Sequence, residues 1–254
     1  TKTIRQYPPP KLKFPFLCYF YDFLGAMTAS LRILCVGAHP DDVEIGMGGT
    51  VASLVAKGHQ LKIIDLTNGE PTPFGSVETR LKEAAASATL LKAGRKTLSM
   101  PNRFLTDSIE NRKMLAAEIR QFQPDYMFAP YFDDAHPDHI AASALADAAR
   151  FYAKLTKSDI EGQPWFPKRV IYYFPIHVRL SLHPSFLVDI TDTIDIKRRA
   201  ISCYQSQFEA AGKFELVEQF LAENQNWGFQ AGTKAAEPFY QKEIPTLSWP
   251  DGYL

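Results

Sequence analysis

The sequence is poor in cysteine and carries no excess charge of either sign. Its three cysteines, Cys18, Cys35 and Cys203, share no regular spacing, and an odd number argues against the disulfide frameworks that staple small secreted domains. Cys35 sits inside an apolar run, where a buried, reduced thiol is the plain expectation, and a cytoplasmic location fits best. Twenty-eight basic residues balance 28 acidic ones, so there is no electrostatic footprint for nucleic acid or for an anionic membrane. No apolar run reaches the roughly 18 residues that a membrane helix needs. A glycine-rich nucleotide fingerprint is also missing, because Gly46-Met-Gly-Gly49 follows an acidic cluster instead of preceding it. These absences leave a small molecule as the expected partner.

The chain is otherwise apolar, aromatic and periodic. A hydrophobic fraction of 46%, with 18 Phe and 11 Tyr, suffices for a well-filled core and an aromatic-walled cleft. A length of 254 residues suits one α/β core. The first thirty residues stand apart: Pro8-Pro9-Pro10 and scattered Lys precede an aromatic run from Phe14 to Leu24, interrupted by Asp22. Those prolines and that aspartate count against a secretory signal, and Met27 lies where a native start would fall. Residues 1–30 are expected to be an N-terminal extension outside the core, and 31–254 a single domain.

From Leu31 the pattern is regular. Short apolar runs at 31–36, 61–66, 96–100, 126–130, 169–174 and 186–190 predict strands. Helical spacing between and after them predicts helices at 50–57, 77–92, 111–122, 137–152, 192–206 and 213–225. The last thirty residues carry Gly, Pro and aromatics without a clear period. Such alternation predicts an α/β fold, a doubly wound, mostly parallel Rossmann-like sheet of order 3-2-1-4-5 with helices on both faces. Strands one and four then meet where the topology reverses, and ligands bind beyond the carboxyl ends of the strands at that point. The chemistry is therefore expected just after Val36 and Ala129.

Those two segments hold His39-Pro40-Asp41-Asp42-Val43-Glu44 and Asp133-Asp134-Ala135-His136-Pro137-Asp138-His139. Each sets imidazoles and carboxylates on a short turn with a Pro able to start a helix. A hydrolytic zinc site takes about three His or carboxylate ligands and keeps one position open. His39 and Asp42 are three residues apart, as are His136 and His139, a spacing at which side chains reach one centre. Acidic residues after a strand are also ordinary helix caps. Capping does not explain two such clusters on the two strands that flank the switch point. His59, His177 and His183 have no such neighbours and are expected to be ordinary histidines. Glu44 suits either a place behind a ligand histidine or an exposed first helical turn. Arg80, among charged neighbours on a helix, suits a solvated face.

Ala38-His39-Pro40-Asp41-Asp42 and His136-Pro137-Asp138-His139 resemble, in order and placement, the paired motifs of the LmbE-like, or PIG-L, family of zinc-dependent N-deacetylases. The resemblance covers about residues 31–240. It implies Zn2+ on His39, Asp42 and His139, with Fe2+ as an alternative because a His-His-Asp set selects weakly. It implies Asp41 as general base, His136 facing the reacting carbonyl, Asp138 orienting His136, and Arg80 touching substrate. Zinc supplies a nucleophile at neutral pH, and a cationic imidazole beside it steadies an oxyanion.

Asp65-Leu-Thr-Asn-Gly-Glu70, Asn102-Arg103-Phe104-Leu105, Tyr173-Phe174-Pro175, Tyr204-Gln-Ser-Gln-Phe208 and Glu237-Pro238-Phe239 resemble the bacillithiol-biosynthesis branch of that family. The substrate so implied is N-acetylglucosaminyl malate, an N-acetylated amino sugar on a dianion, with Arg103 and Arg179 as carboxylate partners. Asn102 stands where the branch has Asp, beside a position expected to touch sugar hydroxyls. Asn226-Trp227-Gly228 departs from its aromatic pair before glycine. Two alternatives remain: a zinc amidase for another substrate, such as a chitin disaccharide or a thiol–sugar conjugate, and a non-catalytic sugar-binding protein of the same fold. The aromatic termini could join copies in a homo-oligomer.

Overall fold

A computed structural model describes residues 30–175 and 183–244. The expected extension up to residue 29, with Cys18, and the candidates His177 and Arg179 lie outside the described residues. The elements, in chain order, are β1 (Arg32–Gly37), α1 (Asp42–Ala56), β2 (Gln60–Asp65), α2 (Val77–Leu91), β3 (Gly94–Thr97), α3 (Ile109–Phe122), β4 (Tyr126–Pro130) and α4 (Pro137–Ala153). Then follow β5 (Arg169–Tyr173), β6 (Phe186–Asp189), α5 (Ile194–Ile201), α6 (Gln205–Phe208), α7 (Glu215–Ala231) and β7 (Ala236–Tyr240).

The strands form one sheet of order β3-β2-β1-β4-β5-β7-β6. The first five are parallel and in the expected order, so β1 and β4 are neighbours, with Leu34 opposite Met127. Both faces of the central strands are covered, which is why they read as unbroken apolar runs. Leu34, Val36, Ile64, Met127 and Ala129 pack on one face, together with residues of α3 and α4. Ile33, Cys35, Ile63, Phe128 and Ile171 pack on the other, with Val43, Met47 and Val51 of α1. Period-two alternation along each strand makes that division.

The far edge departs from the expectation. β7 joins the sheet antiparallel between β5 and β6, with Pro238 opposite Leu187. A proline argues against a strand when only the sequence is seen, and this one hid it. The helix expected over 192–206 is two: α5 ends in a tight turn where Cys203 and Tyr204 donate three residues back, and Tyr204 goes into the core. β3 lies slightly earlier than expected, because Leu98 and Met100 continue its line by hydrogen bonds to Asp65 and Leu66 while pointing into the core.

α1 is the element that matters most for the site. It starts at Asp42, not near Thr50, and bends at Met47, whose φ of −149° is not helical. The amides freed by the bend are taken by Glu237 of β7, whose Oε1 and Oε2 accept from Gly49 N at 3.0 Å and Thr50 N at 2.7 Å. Lys197 of α5 completes that buried group at 2.6 Å from Oε1. Gly46 lets the helix rest on Tyr173, since a Cβ there would fall 2.2 Å from the ring. The Tyr173 hydroxyl in turn donates to Val36 O near the end of β1.

Candidate metal centre

Two loops leave the carboxyl ends of β1 and β4 side by side and bring the histidines together. The first is tied to the segment just after β2, because Thr67 donates to Ala38 O from both its amide and its hydroxyl. Asp41 then takes a left-handed backbone, φ 111° and ψ −25°, an uncommon conformation outside glycine that marks a local constraint. Asp42 begins α1 and folds back, its Oδ2 accepting from His39 N at 2.9 Å. On the second loop, Pro137 opens α4 and His136 caps it, with Nδ1 accepting from Asp138 N at 3.2 Å. A neutral His136 therefore carries its proton on Nε2.

Donor atoms of His39, Asp42 and His139 all lie within 4.8 Å of one another, and all three residues are buried. His139 Nε2 is 3.2 Å from Asp42 Oδ1, and His39 Nδ1 is 3.6 Å from Asp42 Oδ2. The opposite nitrogen of each ring rests on a different carboxylate: His39 Nε2 on Asp138 at 3.1 Å and His139 Nδ1 on Asp134 at 2.9 Å. Carboxylates behind imidazoles fix the ring and its tautomer in metal sites. Burial alone would lower both imidazole pKa values, but the carboxylates outweigh it and hold His39 up at about 9 and His139 up at about 10. Burial also opposes ionisation of Asp42, yet His139 and His39 keep it well below the usual carboxylate range. The pocket thus demands positive charge, and one carboxylate with two backed imidazoles fits a divalent ion. His39, His136 and Asp138 also come within that distance. However, Asp138 Oδ2 already accepts from Arg103 N at 2.7 Å and its Oδ1 from Leu105 N at 3.2 Å.

The family model for PIG-L, GlcNAc-PI de-N-acetylase, matches residues 34–150, the span that carries both loops. A diacetylchitobiose deacetylase from Thermococcus kodakarensis is 31% identical, over 75% of this chain and 74% of that protein. The chain belongs to the PIG-L, or LmbE-like, family. It is a hydrolytic N-deacetylase. A 1D-myo-inositol 2-acetamido-2-deoxy-alpha-D-glucopyranoside deacetylase from Rhodococcus erythropolis is 26% identical, over 73% of this chain and 84% of its own length. Among solved structures, a conserved protein from Thermus thermophilus superposes with a TM-score of 0.81 at 39% identity, covering 88% of this chain and all of that one.

In this LmbE-like chain the other candidates fall into place unevenly. Asp41 lines the cavity, and Arg80 holds it: Nη2 donates to Asp41 Oδ2 at 2.9 Å and to Pro40 O at 2.5 Å. Burial, opposed by Arg80 and reinforced by Asp42, pushes the Asp41 carboxyl up to about 7. Arg80 is no solvated face; it is 3% exposed, with Gly69 on one side and the Tyr204 ring 5.5 Å away on another. Glu44 fits neither expectation. It is wholly buried, and its Oε1 accepts from Arg95, Ser87 and Tyr204. Asp138, expected to orient His136, gives its carboxylate to His39 and to the amides of Arg103 and Leu105; His136 receives its backbone N–H. The helix start explains the exchange, because His136 sits at the cap and Asp138 two residues on, within the first turn.

Asn102 and Arg103 line the same cavity, the latter with Nη2 on Pro71 O at 2.7 Å. His59 accepts from Leu31 N and lies outside that cavity, as an ordinary histidine does. Sequence reasoning assigned no role to Asp134, although its place two residues before His136 was the available signal. Nor did it find the part of the cavity lining supplied by α6 and α7. No helix among the described residues is long and apolar enough to cross a membrane.

Proposed function

We propose that the protein is a zinc-dependent deacetylase that removes the acetyl group from an N-acetylglucosaminide, with N-acetylglucosaminyl malate as its specific substrate. The observation that carries the reading is the pairing of Asp41 with Arg80 beside the His39–Asp42–His139 cluster. A carboxylate fixed by a buried guanidinium, next in sequence to Asp42 and lining the cavity, is placed for proton transfer. The chain belongs to a deacetylase family and keeps every residue this chemistry asks for, which speaks against a non-catalytic sugar-binding role.

His39, Asp42 and His139 would hold the ion, which when bound supplies Lewis acidity to the acetyl carbonyl and acidifies water. Asp41 takes a proton from the attacking water as the new C–O bond forms. It returns that proton to the amine nitrogen as the C–N bond breaks, leaving acetate and a free amine. His136 Nε2–H donates to the carbonyl oxygen as negative charge grows there. Arg80 keeps the Asp41 carboxylate aimed, and Asp134 and Asp138 keep the two ligand rings aimed.

Malate requires cations, and Arg103 and Lys213 line the cavity. The test is acetate release from N-acetylglucosaminyl malate against free N-acetylglucosamine. Faster release from the malate conjugate is expected. Equal or reversed rates overturn the malate assignment and leave the deacetylase standing.

A further inference from the structure

The cavity has a volume of about 930 Å³, near the top of the roughly 300–1,000 Å³ range of small-molecule sites and more than one acetamido sugar fills. His39, Asp41, Asp42, His136 and His139 are among its lining residues. Another part of the lining comes from α7, through Leu216, Gln219, Phe220 and Glu223, joined by Lys213 just before the helix. These positions follow the i, i+3, i+4, i+7 pattern of a single helical face. A second face of the same helix, Val217, Leu221, Asn224 and Gly228, is buried against the body of the protein. Val217 and Leu221 pack with Tyr204 and Phe208, and Asn224 Nδ2 donates to Ala236 O at 3.1 Å. Gly228 lies so close to the residue before β7 that a Cβ would fall 2.5 Å from Ala235 backbone atoms. The wall is therefore pre-formed: Leu216 and Phe220 pack partly against that cluster and also line the cavity, while Gln219 is exposed to it.

We propose that this face of α7, with Lys213, is the subsite for the aglycone, the group joined to the N-acetylglucosamine ring, and that it sets substrate choice. The proposal rests on the deacetylase function above. Phe220 and Leu216 offer a hydrocarbon surface, with Phe220 steadied by Phe208 at 6.3 Å between ring centroids. Gln219 and Lys213, which line the same cavity, offer donors. The matching ligand is a compact aglycone with a carbon face and several oxygen atoms. Either a second sugar ring or a short hydroxy-dicarboxylate has that chemistry, and the two lean on different residues. A ring needs the aromatic face; a dianion needs Lys213.

The test compares kcat/KM for N,N'-diacetylchitobiose and for N-acetylglucosaminyl malate, each divided by that for free N-acetylglucosamine, in metal-loaded full-length variants. Phe220→Ala is expected to lower the chitobiose ratio roughly tenfold, and Lys213→Met the malate ratio by a similar factor. Gln219→Ala, at an exposed position, keeps the test open if Phe220→Ala misfolds. Phe229→Ala, on the same helix at a site 84% exposed and away from the cavity, leaves both ratios within about twofold. A fall in either ratio supports the subsite and names the aglycone class. Ratios unchanged in all three wall variants, with wild type active, overturn it. If wild type releases acetate from none of the three compounds, the glucosaminide assignment itself fails, and the subsite with it.

Discussion

The helix that carries Asp42 is cut at Met47, and the cut is closed by one carboxylate from near the end of the described chain. Glu237 accepts from Gly49 N, Thr50 N and Lys197 Nζ, and both charged side chains are wholly buried. Glu237→Ala would leave an ammonium without its partner and two amides without an acceptor. Breaking a buried pair from one side costs about 3–5 kcal/mol, and the orphaned amides bring the loss to the upper end of that range, about 5 kcal/mol. At roughly 2–4 °C per kcal/mol for a domain of this size, Tm falls by about 10–20 °C. Lys197→Met keeps both amide bonds and should cost about half as much. Lys197→Met with Glu237→Gln removes both charges, keeps the bulk and should come within about 2 kcal/mol of wild type. Thermal and urea unfolding followed by circular dichroism read all three. A Glu237→Ala protein within about 1 kcal/mol of wild type, or a double variant as damaged as Glu237→Ala, would refute this account of the bend.

Three further outcomes follow from single contacts. Asp134→Asn removes the carboxylate behind His139 and should weaken metal binding about 10–100-fold in competition with a chelating dye; an unchanged affinity would count against that role. Gly46→Ala drives a methyl group into the Tyr173 ring and should cost about 1–3 kcal/mol in urea unfolding, whereas a neutral effect would mean that α1 has room to move. Burial disfavours the Glu118 carboxylate, but Lys96 and Lys62 outweigh it and hold its pKa below the usual 4.5. Such a group stabilises the fold fully above about pH 4.5 and loses that contribution as pH falls through its lowered value. The stability gap between wild type and Glu118→Gln should therefore shrink on acidification, and a gap that grows would contradict the pairing.

The central fold and the site were legible for the same reason. β1 and β4 are apolar on both sides and end in Gly37 and Pro130, so the strands, their adjacency and the two loops after them could be read together. The candidate cluster of His39, Asp42 and His139 was legible because its members fall in those two loops, His39 and Asp42 three residues apart. Which carboxylate serves which ring was not, since it depends on how α4 starts: His136 is spent as the cap, and Asp138 swings to His39. For Arg80 the residues taken without the resemblance suggested solvent, and for Glu44 neither alternative named its partners. Their burial is possible only because tertiary partners, Asp41 for one and Arg95 for the other, meet them from distant segments. β7 stayed hidden behind Pro238, and with it the Glu237 contact that explains where α1 bends.

The most direct test of the central claim is acetate release from an N-acetylglucosaminide, measured on metal-loaded protein, on chelated protein and on metal-loaded Asp41→Asn. Activity is expected in the first, with its loss on chelation and recovery on adding Zn2+ back. Asp41→Asn should still bind the metal but release acetate at least about a hundredfold more slowly. Acetate release that survives chelation, or that Asp41→Asn leaves intact, would contradict the mechanism.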